Sequence, residues 1–251
     1  MGTPEWDCIW APGPLRPLLA DGALHVWRAD LTTVAADVGA LLCEEERARA
    51  ERFVNARDGE LWRSARGLLR LLLGRYLDLE PKSLRFTLGQ YGKPALQRHA
   101  DETYAPHSAP ADVSRDVPLS FNMSHSGELG LYAFAARGGI GVDVEVARRP
   151  IDELAIAARA LPAGEAQRLQ TLEPAARRRE FLRAWTRHEA TLKCLGVGIG
   201  GGGGDVRDTA RESIAEGLGA PLWIAQLELG SDAAAAVATE MPTRELRRWE
   251  W

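Results

Sequence analysis

Hydrophobic positions along this chain follow two periods, and the switches between them predict most of its elements. Leu24-His25-Val26-Trp27-Arg28-Ala29-Asp30-Leu31 alternates in character and predicts a strand. Residues 33–53 change to a helical pattern, in which Glu44, Glu45 and Glu46 precede Arg47 and Arg49 at helical charge spacing. Residues 57–77 carry Leu61, Trp62, Leu68, Leu69, Leu72, Leu73 and Tyr76 and predict a second, more apolar helix, with Pro81 ending the region. Leu84–Leu88 predicts a strand, followed by a turn at Gly89-Gln90-Tyr91-Gly92-Lys93-Pro94. Residues 1–22 and 97–118 show no period and predict an irregular lead-in and a mobile surface insertion. Leu119–Met123 and Leu129–Ala135 predict two strands joined by Ser124-His125-Ser126-Gly127.

After Arg137-Gly138-Gly139 the order begins again. Ile140–Val146 predicts a strand, residues 151–160, 163–171 and 175–195 predict helices, and residues 222–229 and 233–239 predict closing strands. The literal sequence does not repeat, so only the order of elements does. The expected class is α+β, built as two similar halves over residues 1–137 and 138–251. Their junction is the expected place for chemistry, because ligand pockets tend to lie there.

Composition narrows the function classes. The chain has 251 residues, 45% hydrophobic and 26% charged, which is ordinary globular usage. The net charge of −4 argues against a dedicated nucleic-acid binder. Neither a signal peptide nor a membrane-length apolar run is visible. Cys8, Cys43 and Cys194 are odd in number and far apart, so a disulfide framework is not expected and a reducing cytoplasm is. Only Lys82, Lys93 and Lys193 are lysines; arginine holds the other cationic positions, a usage that suggests a GC-rich bacterial genome.

In Gly141-Val142-Asp143-Val144-Glu145 the acids alternate with valines. On a strand, i and i+2 share a face roughly 6.5–7 Å apart, so both carboxylates can reach one cation while Val142 and Val144 face the core. The same alternation also fits a half-exposed strand with its polar side in water. Phe181, Trp185, Leu192 and Leu195 recur at helical spacing, and Gly196 stands where a C-terminal cap belongs. Glu189 and Lys193 then lie at the edge of the apolar stripe, either as a surface pair or as a metal ligand beside a phosphate-binding ammonium.

Several groups suit phosphate. Asn122-Met123-Ser124-His125-Ser126-Gly127 offers hydroxyls, an imidazole and backbone N–H groups, although a plain polar hairpin has the same composition. Lys93 sits in a stiff Gly-Lys-Pro turn, and Arg63 lies on a largely apolar helix, where it can snorkel or fork onto phosphate. Gly196-Val197-Gly198-Ile199-Gly200-Gly201 satisfies GxGxxG but follows a helix and runs into more glycines. It predicts a helix stop and flexible loop, since the dinucleotide fingerprint needs a strand before it.

Taken in order, these pieces resemble the Sfp-type 4'-phosphopantetheinyl transferases from about Leu41 to Leu195. The most specific parts are Gly141-Val142-Asp143-Val144-Glu145 and Trp185-Thr186-Arg187-His188-Glu189-Ala190-Thr191-Leu192-Lys193, set against a family pattern W-x-x-K-E-A-x-x-K. Tyr91-Gly92-Lys93-Pro94 and Phe121–Gly127 support them. The resemblance implies two α/β halves related by a pseudo-two-fold, with the active site between them. It implies transfer of the phosphopantetheine arm of coenzyme A to a serine of apo acyl or peptidyl carrier proteins, as in polyketide and non-ribosomal-peptide assembly. The by-product is adenosine 3',5'-bisphosphate. It assigns Asp143, Glu145 and Glu189 to Mg²⁺, for which Mn²⁺ can substitute. It assigns Lys193, Arg63, Lys93, Ser124, His125 and His188 to coenzyme A, and catalysis to Glu189, Lys193 and Asp143. Glu165 falls on a further acidic position, and Arg47 or Arg49 stand in for first-helix lysines. His188 departs from the family lysine and carries less charge at neutral pH.

The same resemblance implies an acidic carrier docking near Val146–Leu172, with Arg148, Arg149 and Arg159. The charge balance and the lack of a long apolar run predict binding to neither nucleic acid nor membrane, and two similar halves in one chain predict a monomer. Two other classes remain open on sequence: a coenzyme A acyltransferase, and a non-catalytic module that binds coenzyme A or a carrier. The first would not need three metal-spaced acids.

Overall fold

The computed structural model describes residues 9–97, 119–148, 150–197 and 222–251. The expected insertion beyond residue 97, Arg149 and the glycine run beyond Val197 lie outside them. The first half contains β1 (Ala11–Pro12), β2 (Ala23–Asp30), a 3-10 turn (Ala36–Leu41), α1 (Glu44–Glu51), α2 (Ala56–Leu77), β3 (Phe86–Leu88), β4 (Pro94–Leu96), β5 (Ser120–Ser126) and β6 (Leu129–Ala135). The second contains β7 (Ile140–Val146), α3 (Glu153–Ala160), α4 (Ala163–Gln170), α5 (Pro174–Leu195), β8 (Trp223–Leu227), β9 (Ala233–Thr239) and β10 (Glu245–Glu250). The class is α+β, as expected.

Strict alternation stacks these elements in layers. Trp27 and Ala29 on β2, with Tyr132 and Phe134 on β6, face Leu61, Leu68, Leu69, Leu72 and Leu73 of α2. The intervening residues Leu24, Val26, Leu131, Ala133 and Ala135 face the other way, onto Ile140, Val142 and Val144 of β7. The far side of the second sheet is covered by α5, against the small residues Ala234, Ala236 and Ala238 of β9. The order from front to back is thus α2, a five-stranded sheet, a three-stranded sheet, and α5 with α3 and α4.

Three expectations need correction, and one strand adds to them. The helix over 33–53 is broken: Leu42 is extended, and Cys43 caps α1 by a box in which its N–H donates to Glu46. Glu46 does not join the surface charge pairs. It turns inward to the buried Arg66 and Arg70, at 2.5 and 2.7 Å. The polar segment after Met123 is not a linker, because β5 continues through Ser126 and only Gly127 and Glu128 make the turn, with Gly127 at φ 57°. The chain's last strand was unforeseen: β10 runs parallel to β2 and lies between β1 and β2 in the first sheet.

One buried polar group makes stability depend on pH. His25 is 3% exposed, and the Tyr76 hydroxyl lies 2.8 Å from its Nδ1. That hydroxyl already accepts from the Trp27 indole N–H at 2.8 Å, so its own proton is free to bond a neutral imidazole. Burial, and then Arg247, lower the His25 pKa from 6.5 to about 4. The unfolded chain takes up this proton as pH falls through 6.5, whereas the folded one does not. The contribution is therefore complete above that pH and declines toward pH 4. Urea denaturation at pH 7 and pH 4.5 should show the parent losing about 2–3 kcal/mol more than His25→Phe. Equal losses would contradict this account.

Candidate functional site

The candidate site lies where the outer edge of β7 meets β5. Among the described residues no strand pairs with that edge, and side chains serve it instead. Asn122, Ser124 and Ser126 project from the polar face of β5, opposite Phe121 and Met123, which pack on the first core. The Asn122 side-chain oxygen accepts from the Val142 N–H at 2.8 Å, and the Ser126 hydroxyl from the Val146 N–H at 3.1 Å. Backbone groups buried at an unpaired edge need such partners.

The same strand presents its acids to α5, as the alternation predicts. Asp143 is 4% exposed. Its Oδ1 accepts from Ser124 Oγ at 2.9 Å and from Lys193 Nζ at 2.6 Å. The ammonium also donates to Ser124 Oγ at 3.1 Å. Glu145 accepts from Ser126 Oγ at 3.0 Å and from the Trp185 side chain. Glu189 stands one turn from both Trp185 and Lys193 on α5, near enough to Asp143 and Glu145 to feel their charge.

All three carboxyls are pushed above their usual range. Burial is the leading cause for Asp143, opposed by Lys193, Ser124 and the Val144 N–H. For Glu145 it is burial and then Asp143. Glu189 rises to about 7, through burial first and Asp143 next, with Lys193 opposing. Three acids around one ammonium are short of positive charge. In addition, Asp143 Oδ2 is buried with no hydrogen-bond partner. Hard carboxylate oxygens with a lone pair to spare fit a divalent cation such as Mg²⁺ in charge and donor type. Among the described residues, however, no three His, Cys, Asp or Glu side chains already surround a point that could hold an ion. Lys193 is what pairs with Asp143 in this arrangement.

The other expected residues are dispersed. Ser124 and Lys193 join the acids directly. His125 projects from the opposite face of β5; burial first and Lys193 next lower its pKa, while Asp58 opposes. Lys93 donates to Ile140 O at 2.8 Å and Cys194 O at 3.4 Å, so it ties the hairpin of β3 and β4 to β7 and the C-terminal end of α5. Arg63 is half-buried on α2 with its stem over Gly39. His188 lies 6.3 Å from the Trp185 ring, centroid to centroid. Glu165 is held in an ion pair with Arg187 at 2.7 Å. Arg47 donates to Leu42 O at 2.5 Å, and Arg49 covers the Trp62 ring. The roles of Asn122, Ser126 and Trp185 were missed, although the alternation of Asn122, Ser124 and Ser126 along β5 was readable.

Comparison with known proteins follows this division of the chain. The 4'-phosphopantetheinyl transferase superfamily model matches residues 139–227, and a model of the N-terminal part of 4'-phosphopantetheinyl transferases matches residues 26–137. The chain is similar to a Synechocystis protein whose own assignment to this activity is provisional, at 39% identity over 163 residues, covering 65% of this chain and 60% of that one. It is similar to the 4'-phosphopantetheinyl transferase HetI of Nostoc, at 33% over 193 residues and 76% of each chain. Similarity to the Bacillus subtilis enzyme Sfp is 28% over 156 residues, 62% of this chain and 60% of that one. The chain thus spans about three fifths of two of these relatives and about three quarters of the third.

Proposed function

The chain belongs to the 4'-phosphopantetheinyl transferase superfamily, and from that premise we propose that it moves the phosphopantetheine arm of coenzyme A onto a serine hydroxyl of an apo carrier protein. The observation that carries this reading is the cluster of Asp143, Glu145, Glu189 and Lys193 at the β5–β7 edge. The carrier is an acyl or peptidyl carrier protein, of fatty-acid, polyketide or non-ribosomal-peptide assembly. Residues 1–137 supply coenzyme A contacts, and residues 138–251 supply the acids and the carrier dock. The free thiols of Cys43 and Cys194 suit a cytoplasmic setting.

Asp143, Glu145 and Glu189 would hold Mg²⁺. When bound, it supplies charge for the pyrophosphate and for the leaving bisphosphate. The remaining work belongs to the chain's own residues. Lys193, fixed by Ser124 and Asp143, keeps an ammonium beside the phosphate that is transferred. Glu189, or a water that it orients, is the candidate acceptor of the serine proton, because its carboxylate stands one turn from Lys193 beside the other two acids. The serine oxygen forms its bond to phosphorus, the bond to the second phosphate breaks, and adenosine 3',5'-bisphosphate leaves. His125 and His188 offer hydrogen bonds to coenzyme A, and Arg63 and Lys93 offer positive charge.

Incubation with coenzyme A, Mg²⁺ and several apo carriers, followed by intact-mass measurement, tests the reading. The carrier should gain the whole phosphopantetheine arm; gain of an acyl group alone would contradict it. Excess chelator should stop the reaction, and Mg²⁺ or Mn²⁺ should restore it.

The carrier dock is expected along α3 and the end of β7. Arg148 is half exposed and shares Glu128 with Arg57, an exposed pairing that contributes little to stability. Arg148→Glu should raise the carrier KM about three- to tenfold with little change in kcat, and more so at low salt. An unchanged KM would move the dock elsewhere.

A further inference from the structure

We infer that Ser126 is a positioning residue whose hydroxyl aims the Glu145 carboxylate at the cation-binding centre. The inference rests on the metal-dependent transferase reading and adds a residue that reading does not contain. A serine hydroxyl has one proton to donate and lone pairs to accept with. Ser126 Oγ has two partners, the Val146 N–H at 3.1 Å and Glu145 Oε2 at 3.0 Å. The first is a donor, so it must meet a lone pair, and the single Ser126 proton is then directed to Glu145. The contact therefore has one polarity and one rotamer, fixed by the backbone of the strand that carries the acid.

Asn122 pins the same strand two turns of the pleat away, through Val142 N–H at 2.8 Å. Between these two points stand Asp143 and Glu145, each with one oxygen bonded by a serine of β5. A carboxylate so held has its plane and direction fixed, in Glu145 by Ser126 together with the Trp185 side chain, which is how groups behind metal ligands orient them. Ser126 belongs to the first half of the chain and Glu145 to the second. The aim of the acid is thus set from across the junction and not by its own strand alone.

Direct Mn²⁺ binding tests this, read from the electron paramagnetic resonance signal of free Mn²⁺ with coenzyme A present and no carrier, so that no turnover occurs. Thermal melting is followed in parallel. Ser126→Ala should weaken Mn²⁺ about tenfold, and Ser126→Thr, which keeps the hydroxyl, should bind as the parent does. In a Glu145→Gln background, Ser126→Ala should add less than a twofold loss. Should Ser126→Ala melt below the assay temperature, Ser126→Cys, with similar bulk and a weaker donor, carries the same comparison. Parental affinity in a folded Ser126→Ala or Ser126→Cys would overturn the inference. So would an undiminished loss in the Glu145→Gln background. A parent protein that binds no Mn²⁺ would instead overturn the metal reading beneath it.

Discussion

Replacing Asp143 by alanine is expected to lower phosphopantetheine transfer by roughly a thousandfold and to leave the protein folded. Asp143 is the hub of the site: its Oδ1 takes bonds from Ser124 and Lys193, and its charge is felt by Glu145 and Glu189. Alanine removes a carboxylate that the proposed function assigns to the cation, and it releases the ammonium from its 2.6 Å partner. Stability should respond weakly, because two effects oppose. The Lys193 pair is lost, but burial already disfavours the ionised Asp143, and the other two acids are relieved of its repulsion. Circular dichroism melts should shift by less than about 4 °C, while intact-mass assays show almost no product. Glu189→Ala and Lys193→Ala should move in the same direction. Near-parental transfer by Asp143→Ala at saturating Mg²⁺ would remove Asp143 from the metal site.

Gly141→Ala should damage stability and activity together. A Cβ at this position would lie 2.0 Å from Ala190 O, 2.4 Å from Cys194 N and 2.9 Å from Lys193 C. Those are backbone atoms, so no rotamer change can make room. The helix itself must move away from β7. Overpacking of this kind costs about 1–3 kcal/mol. The displaced turn carries Glu189 and Lys193, and a shift on the order of 1 Å at reacting groups can lower rates about a hundredfold. Gly164→Ala on α4 is the matched control, since nothing lies within 4 Å of a Cβ there, and it should be neutral or slightly stabilising. Urea denaturation and kcat/KM measured on both variants decide the matter. A Gly141→Ala protein with parental values would show that α5 does not rest on the strand as described.

The elements that carried the site were legible because their signals are local. In β7, Val142 and Val144 enter the core between the sheets while Gly141, Asp143 and Glu145 face α5. This follows from the period of two alone. The helix bearing Glu189 was readable from its apolar stripe and from Gly196, which caps it at φ 71°. What failed were features with distant partners. Glu46 reads as a surface acid among charges, yet Arg66 and Arg70, 20 and 24 residues away, draw it inward. Arg247 and Arg248 make the C-terminal segment look polar, and its place between β1 and β2 is visible only in the assembled sheet.

Sequence by itself therefore determined the class of the fold, the identity of the acids and the faces on which they stand, because hydrophobic period encodes which side of an element is buried. Tertiary structure alone decided what each polar group touches. Lys93 bonds the carbonyls of Ile140 and Cys194, Ser126 bonds Glu145, and Lys193 settles on Asp143. Most buried polar atoms find a partner wherever the packing of two halves brings one, and no pattern within a single segment names that partner.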